Sequence, residues 1–194
     1  MPKDKDPGAG YERGAPLPDL TKLHERHNIT EPVCGGFAEA AAVCFSRHHR
    51  PAIDVEVSRP DGAPVVRSLN WVLPNEVVRA TWGNRDDTTR DAAYAISLAA
   101  VEIEAGLVAR SRADIRTGAD WYVGAPGDPS DLEDALRLEV SGVDAGDRRA
   151  ITSRVRSKLK QLAAGSSDKL GLVCVVGFLE RLVVIRRMKD SEEE

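Results

Sequence analysis

The sequence has few of the residues that build disulfide frameworks, zinc sites or stacking surfaces. It contains three cysteines, none of them in a CxxC pair, and only 5% aromatic residues. Dispersed cysteines in odd number, without histidines at metal-binding spacing, argue against a disulfide scaffold and a structural zinc site. So few aromatic side chains argue against binding of single strands by stacking. We therefore expect free, buried thiols in a reducing, bacterial-type cytoplasm.

The sequence also lacks long apolar runs and an excess of positive charge. It opens on MPKDKDPGAG, which is polar and charged, and its longest apolar run, residues 171–179, is too short to cross a bilayer. We predict a cytoplasmic protein without a membrane partner. The net charge of -4 excludes attraction of nucleic acid over the whole surface, so any such contact requires a local basic face.

Two familiar catalytic motifs are missing as well. No GxSxG turn surrounds Ser141, and the four histidines all lie between His24 and His49, so a serine triad is not expected. The glycine-rich loop at residues 124–127 is not followed by GK[ST], which argues against a phosphate-binding P-loop.

The pattern of apolar residues divides the chain into four parts. Residues 1–29 are rich in proline, glycine and charge and predict a flexible N-terminal arm. Residues 30–85 predict a helix that begins after Thr30, with Pro32 in its first turn, and then a hairpin around the turn at residues 59–62. Residues 86–188 predict an α/β core, and residues 189–194 a disordered acidic tail.

Within residues 86–188 the elements predict an α/β (α+β) fold with a mixed central sheet flanked by helices. The predicted order is helix, strand, strand, strand, helix, strand, and the segments are 88–105, 107–116, 119–124, 135–143, 147–163 and 171–179. Residues 182–187 predict a further strand that returns along the edge of the sheet.

Three carboxylates stand at positions where a charge is unexpected. Asp120 and Glu139 each lie in an apolar strand, and Glu102 lies on the apolar face of the first core helix. An unpaired charge in such places is costly to desolvate. A divalent metal such as Mg²⁺ or Mn²⁺ is one partner that suits carboxylates. Arg110 or Arg112 on the neighbouring strand is the other, as a structural ion pair with Glu139.

This order of elements and carboxylates resembles the PD-(D/E)XK, or restriction-endonuclease-like, nuclease superfamily. The resemblance implies that Asp120 and Glu139 bind magnesium and take part in phosphodiester hydrolysis, with Glu102 as an auxiliary metal ligand. Ser141 stands where the family usually has a lysine. Some members carry that lysine on the following helix, and Lys158 is the residue that matches this arrangement.

The helix at 147–163 is the most basic element of an acidic protein. As a nucleic-acid-binding face it would present four residues to phosphates: Arg148, Arg149, Arg154 and Lys160. A solvated helix face is the alternative interpretation of the same charges.

Two further functions remain open from the sequence. One is a non-catalytic interaction or assembly protein, with the helix and hairpin of residues 30–85 as the contact surface for a partner or a second copy, and Trp71 or Trp82 as anchors. The other is a protein that binds nucleic acid through the basic helix without cutting it.

Overall fold

The computed structural model describes residues 11–188, which form one eight-stranded mixed sheet with helices on both faces. The strands are β1 (Glu12–Arg13), β2 (Ile53–Ser58), β3 (Val65–Leu69), β4 (Val108–Arg112), β5 (Trp121–Gly124), β6 (Leu136–Val143), β7 (Gly171–Gly177) and β8 (Leu182–Arg187). The helices are α1 (Glu31–Ser46), α2 (Glu76–Thr81), α3 (Arg85–Ala105) and α4 (Arg148–Ala164), with a 3-10 helix at Leu20–Glu25. The predicted α/β class with a mixed sheet is confirmed. No helix within residues 11–188 has the length and apolarity needed to cross a membrane.

The strands follow the order β1-β3-β2-β8-β7-β6-β5-β4 across the sheet. Strands β4, β5 and β6 form an antiparallel meander, and α4 then crosses one face so that β7 runs parallel to β6. Strand β8 returns antiparallel to β7 and pairs in parallel with β2 of the N-terminal hairpin. The hairpin therefore extends the same sheet.

The prediction that residues 182–187 form an edge strand is wrong. Strand β8 lies between β7 and β2, and Val183 and Ile185 on one of its faces are fully buried. Its run of apolar residues fits this position, because a strand covered on both faces needs no alternation. The hairpin supplies the second neighbour, which its local sequence pattern does not reveal.

Residues 11–29, predicted as part of a flexible arm, pack on the fold instead. Leu17, Leu20 and Leu23 are buried in the main core, and Asp19 caps the 3-10 helix by accepting a hydrogen bond from the Thr21 amide at 2.9 Å. Spaced leucines outweigh the polar composition of this segment, because their burial offsets the entropy of ordering it. The remainder of the predicted arm, residues 1–10, and the predicted acidic tail, 189–194, lie outside the described residues.

The middle of helix α3, residues 92–101, is buried on all sides because it lies between the sheet and α1. Its many alanines allow this close packing, since small side chains let neighbouring backbones approach. Helix α4 covers the other face with a narrower apolar stripe of Ile151, Val155 and Leu162. The site described below lies at the polar flank of that stripe.

The side chains of strand β6 point alternately to these two faces of the sheet. Leu138 and Val140 join the main core on the α3 side, whereas Glu139 is directed to α4, where its contacts lie. Arg137 and Ser141 share the α4 side, so the predicted alternation is observed. This register brings the carboxylate in the strand to the basic helix.

Candidate active site

Asp120 is positioned by a tight turn directly before β5. Its amide donates to the Leu138 carbonyl at 3.0 Å, which fixes it beside β6. Two residues earlier, Gly118 has φ of 73°. A Cβ at Gly118 would lie 2.7 Å from the carbonyl oxygen of Gln161. Glycine therefore lets this turn approach the C-terminal part of α4 closely.

The Asp120 carboxylate accepts two hydrogen bonds that hold its orientation. The Tyr94 hydroxyl donates to Oδ1 at 2.6 Å, and the Val140 amide donates to Oδ2 at 2.8 Å. Burial and the adjacent Asp120 charge raise the pKa of Tyr94 well above its usual range. The phenol therefore stays protonated and remains a donor to Asp120 over the physiological pH range.

The Glu139 carboxylate is 2% exposed and meets two side chains of α4. Lys158 Nζ lies 2.5 Å and Gln161 Nε2 2.9 Å from Oε1 of Glu139. Burial, followed by the neighbouring Asp120 carboxylate, raises the pKa of Glu139 to about 7, although Lys158 acts in the opposite direction. The protonated form is also favoured by a hydrogen bond with Asp120. Lys158 thus supplies an ammonium group to Glu139, whereas Asp120 accepts from Tyr94 and the Val140 amide.

The pair lies where two surface clefts meet. The first cleft, of about 450 Å³, is lined by Asp120, Glu139 and Gln161 together with the β4–β5 turn. The second, of about 680 Å³, is lined by Asp120 and Lys158 together with the N-terminal part of α3. Asp120 lines both clefts, whereas Glu139 lines only the first.

Glu102, predicted as an auxiliary metal ligand, is not brought to this pair. Its carboxylate binds Arg26 Nε at 2.5 Å and His27 Nε2 at 3.0 Å. Glu102 lies eight residues after Tyr94, roughly 12 Å farther along α3. Burial alone would raise the pKa of Glu102, but hydrogen bonds from Arg26 and His27 lower it. The prediction is corrected because an ion pair with the N-terminal segment explains this buried carboxylate.

The alternative ion pair of Glu139 with Arg110 or Arg112 is also wrong. Arg110 Nη1 donates to the Asp128 carbonyl at 2.5 Å, in the β5–β6 connection. The guanidinium of Arg112 stacks over the rings of Tyr94 and Trp121, with its central carbon 4.6 and 4.4 Å from their centroids. Lys158 is therefore the cationic partner of Glu139.

The four basic residues predicted to bind nucleic acid occupy different surfaces of α4. Arg148 is held by Glu56 at 2.6 Å and by Glu180 at 3.5 Å, which corrects its assignment to a phosphate-binding face. Arg149 and Lys160 are exposed on the side of α4 away from the sheet. Arg154 lines the second cleft, where its Nη1 lies 3.4 Å from the Ser141 hydroxyl.

The two tryptophans proposed as exposed anchors are partly buried instead. Trp71 donates to the Ser46 hydroxyl at 2.8 Å and packs on Phe45, with ring centroids 5.5 Å apart. Trp82 donates to Glu39 at 3.1 Å. Both rings attach the segment around α2 to α1.

Tyr94 is the site residue that sequence reasoning misses. No motif marks it, because a single tyrosine in an alanine-rich helix is equally compatible with the core. Gln161 has a weak signal: it follows Lys158 by three residues and shares the same flank of the helix.

No family model, curated protein or solved structure matches the chain. Within residues 11–188, no three side chains of histidine, cysteine, aspartate or glutamate converge to hold a metal ion by themselves.

Proposed function

We propose that the protein is a divalent-metal-dependent nuclease that hydrolyses phosphodiester bonds of nucleic acid, with Asp120, Glu139 and Lys158 at its centre. The observation that carries the proposal is the neighbouring carboxylates of Asp120 and the buried Glu139, which line one open cleft. Among the described residues Lys158 is the ammonium partner of Glu139, and Asp120 has no ion pair. A carboxylate that lines a cleft and whose pKa is strongly perturbed by burial and a neighbouring charge is a candidate for a functional site.

The oxygen atoms at this site fit a magnesium or manganese ion. Asp120 and Glu139 supply hard carboxylate oxygens, and two carboxylates completed by water and phosphate oxygens are a usual magnesium set. The amide and carbonyl of one strand residue point the same way. The Val140 carbonyl therefore lies on the Asp120 side of β6 and offers a third oxygen. Burial is the main cause of the raised pKa of Glu139, and the second cause, the neighbouring Asp120 charge, is one that a bound cation would offset.

The chain's own residues have separable roles in this proposal. Asp120 and Glu139 would hold the ion, which would supply polarisation of a phosphoryl oxygen and activation of water. Lys158 Nζ, 2.5 Å from the Glu139 carboxylate, would orient the attacking water or exchange a proton with that water. Tyr94 and Gln161 are positioning residues, because each fixes one carboxylate through a hydrogen bond.

The proposed cellular location is the cytoplasm, and the cysteines support it. Cys34, Cys44 and Cys174 are all free and buried. Burial raises the pKa of Cys44 and of Cys174 to about 12, so these thiols remain protonated. Such thiols suit a compartment that keeps cysteines reduced.

The test is cleavage of plasmid, single-stranded DNA and RNA in magnesium or manganese, with chelator as the blank. We expect Asp120→Asn and Glu139→Gln to reduce cleavage by at least about 100-fold, since removing one group that stabilises a transition state typically costs that much. The exposed carboxylate Asp134 provides the matched control, Asp134→Asn, with unchanged cleavage. If both site variants still cleave, Asp120 and Glu139 are not the catalytic residues, even if the protein is a nuclease.

One surface favours the alternative of a non-catalytic interaction or assembly subunit. Val72, Leu73 and Val77 are 87, 48 and 74% exposed around α2, which has no buried residue of its own. Neighbouring exposed apolar side chains are typical of contact surfaces. Sedimentation of wild type and of the double substitution Val72→Glu, Val77→Glu tests self-association through this surface. A monomer in both cases would remove the homodimer from consideration.

A further inference from the structure

The two clefts that meet at Asp120 carry guanidinium groups on both sides of the acidic pair. Arg112 and Arg116 line the first cleft, and Arg85 and Arg154 line the second. In the part of the chain that the structure describes, none of these four forms an ion pair with a carboxylate. Their positive charge is therefore available to a ligand in the clefts.

The other charges of the second cleft are largely compensated from within the protein. Arg90 is bound by Asp87 at 3.0 Å and by Asp91 at 2.9 Å. Asp144 is bound by Arg47 at 3.1 Å and by His48 at 2.8 Å. Arg85, Arg154 and Asp86 also line this cleft and form no ion pair among the described residues, so the two guanidinium groups outnumber the one carboxylate.

The two clefts follow each other along α4. Ala164 lines the first and Arg154 the second, and ten residues of helix correspond to roughly 15 Å. The phosphates of one strand of a duplex are spaced about 3.4 Å along the duplex axis. A duplex whose axis lies parallel to α4 would therefore place about four nucleotides of one strand over this length. Asp120 lies between the two ends, because it lines both clefts.

We propose that a polynucleotide strand crosses the acidic pair, with its phosphates held by Arg112 and Arg116 on one side and by Arg85 and Arg154 on the other. This inference rests on the proposed nuclease function and specifies its substrate as an internal segment of a strand. Asp120 lines both clefts, so a strand can continue on either side of it and a free strand terminus is not required. Contacts to phosphates also predict weak dependence on base sequence.

Binding tests the path independently of hydrolysis. In an Asp120→Asn background, fluorescence anisotropy measures the affinity for a 30-nucleotide DNA duplex and for the corresponding single-stranded DNA and RNA at increasing salt. We expect Arg85→Gln, Arg154→Gln and Arg116→Gln each to lower the slope of log affinity against log salt by about 0.9 for the duplex. Arg149→Gln, on the solvent-facing side of α4, is the matched control and should leave the slope unchanged. An equal effect of the control, or an effect from only one side of Asp120, would overturn the proposed path.

Closed circular single-stranded DNA tests the absence of an end requirement. With wild-type protein and magnesium or manganese, circular and linear strands of one sequence should be cut at initial rates within about twofold. Degradation of the linear strand alone would overturn the strand path while the proposed nuclease function survives. If these strands and the plasmid and RNA of the cleavage assay all stay intact but the binding ranking holds, the nuclease function fails and the clefts remain a nucleic-acid-binding path.

Discussion

Replacing Glu139 by glutamine should stabilise the folded protein in the absence of metal, even though it removes a proposed metal ligand. The side chain is 2% exposed and adjoins the Asp120 carboxylate, so its charge is poorly solvated in the folded state. Glutamine keeps nearly the same shape and an oxygen that accepts from Lys158 and Gln161. The substitution thus removes the charge and retains the packing.

The magnitude follows from the pKa of Glu139. Its rise from an ordinary value of 4.5 to about 7 corresponds to about 3 kcal/mol, at about 1.4 kcal/mol for each pKa unit. The folded protein binds this proton more tightly than the unfolded chain does. Stability from this residue is therefore complete below pH 4.5 and falls as the pH rises through 7. The glutamine variant has no such charge to bury, so its free energy of unfolding does not fall in this way. It should exceed that of the wild type by a small amount at pH 5 and by about 3 kcal/mol at pH 8.

Urea denaturation in chelator at pH 5 and pH 8 provides the measurement. The free energies of unfolding of wild type and Glu139→Gln are compared. An equal slope of free energy against urea concentration in the two proteins excludes a change in the unfolded state. The exposed Glu133 supplies the control, since Glu133→Gln should leave stability unchanged at both pH values. A glutamine variant that is less stable than wild type at pH 8 would refute the reasoning. That result would mean that the ion pair with Lys158 outweighs burial and repulsion.

Three further predictions concern the same site. Magnesium at about 100 times its dissociation constant should stabilise the wild type at pH 8 by about 2.7 kcal/mol in urea denaturation, with Asp134→Asn responding equally; a similar response of Asp120→Asn would contradict the ligand assignment. Lys158→Met should fold normally and lower cleavage by about 100-fold or more in the plasmid assay, and activity within threefold of wild type would rule out its proposed role. Gly118→Ala should lower the free energy of unfolding by about 1 kcal/mol or more, because it combines a positive φ with a Cβ 2.7 Å from the Gln161 carbonyl; an unchanged urea midpoint would show that the turn relaxes freely.

Local signals in the sequence identify the long helices well. The Asn84 side chain accepts from the amides of Asp86 and Asp87 at the start of α3, and Gly106 ends that helix in the left-handed conformation. Asp147 likewise caps α4 by accepting from the Ala150 amide. Such caps can be predicted because donor and acceptor lie within three residues of each other. Strand alternation and helical spacing similarly allow Glu139 and Lys158 to be placed on facing surfaces.

The parts that the sequence does not reveal depend on distant pairings. Glu102 has the helical position of a site residue, but its partner Arg26 belongs to a segment whose packing has only weak local signals. The paired carboxylates Asp120 and Glu139 are distinguishable from a structural ion pair only when Arg110 and Arg112 have been located. Tyr94 becomes a site residue only through the register of α3 against β5.

The pairing of β2 with β8 has a consequence for the order of folding. Glu56 and Leu182 are neighbours in the sheet, although most of the chain separates them in sequence. The β2–β3 hairpin therefore leaves the ribosome long before the strand that completes its sheet, and one of its edges stays without that neighbour until then. Loop closure of this length slows folding. We expect the meander of β4, β5 and β6 to form first together with α4, and the pairing of β2 with β8 to be a late step in folding.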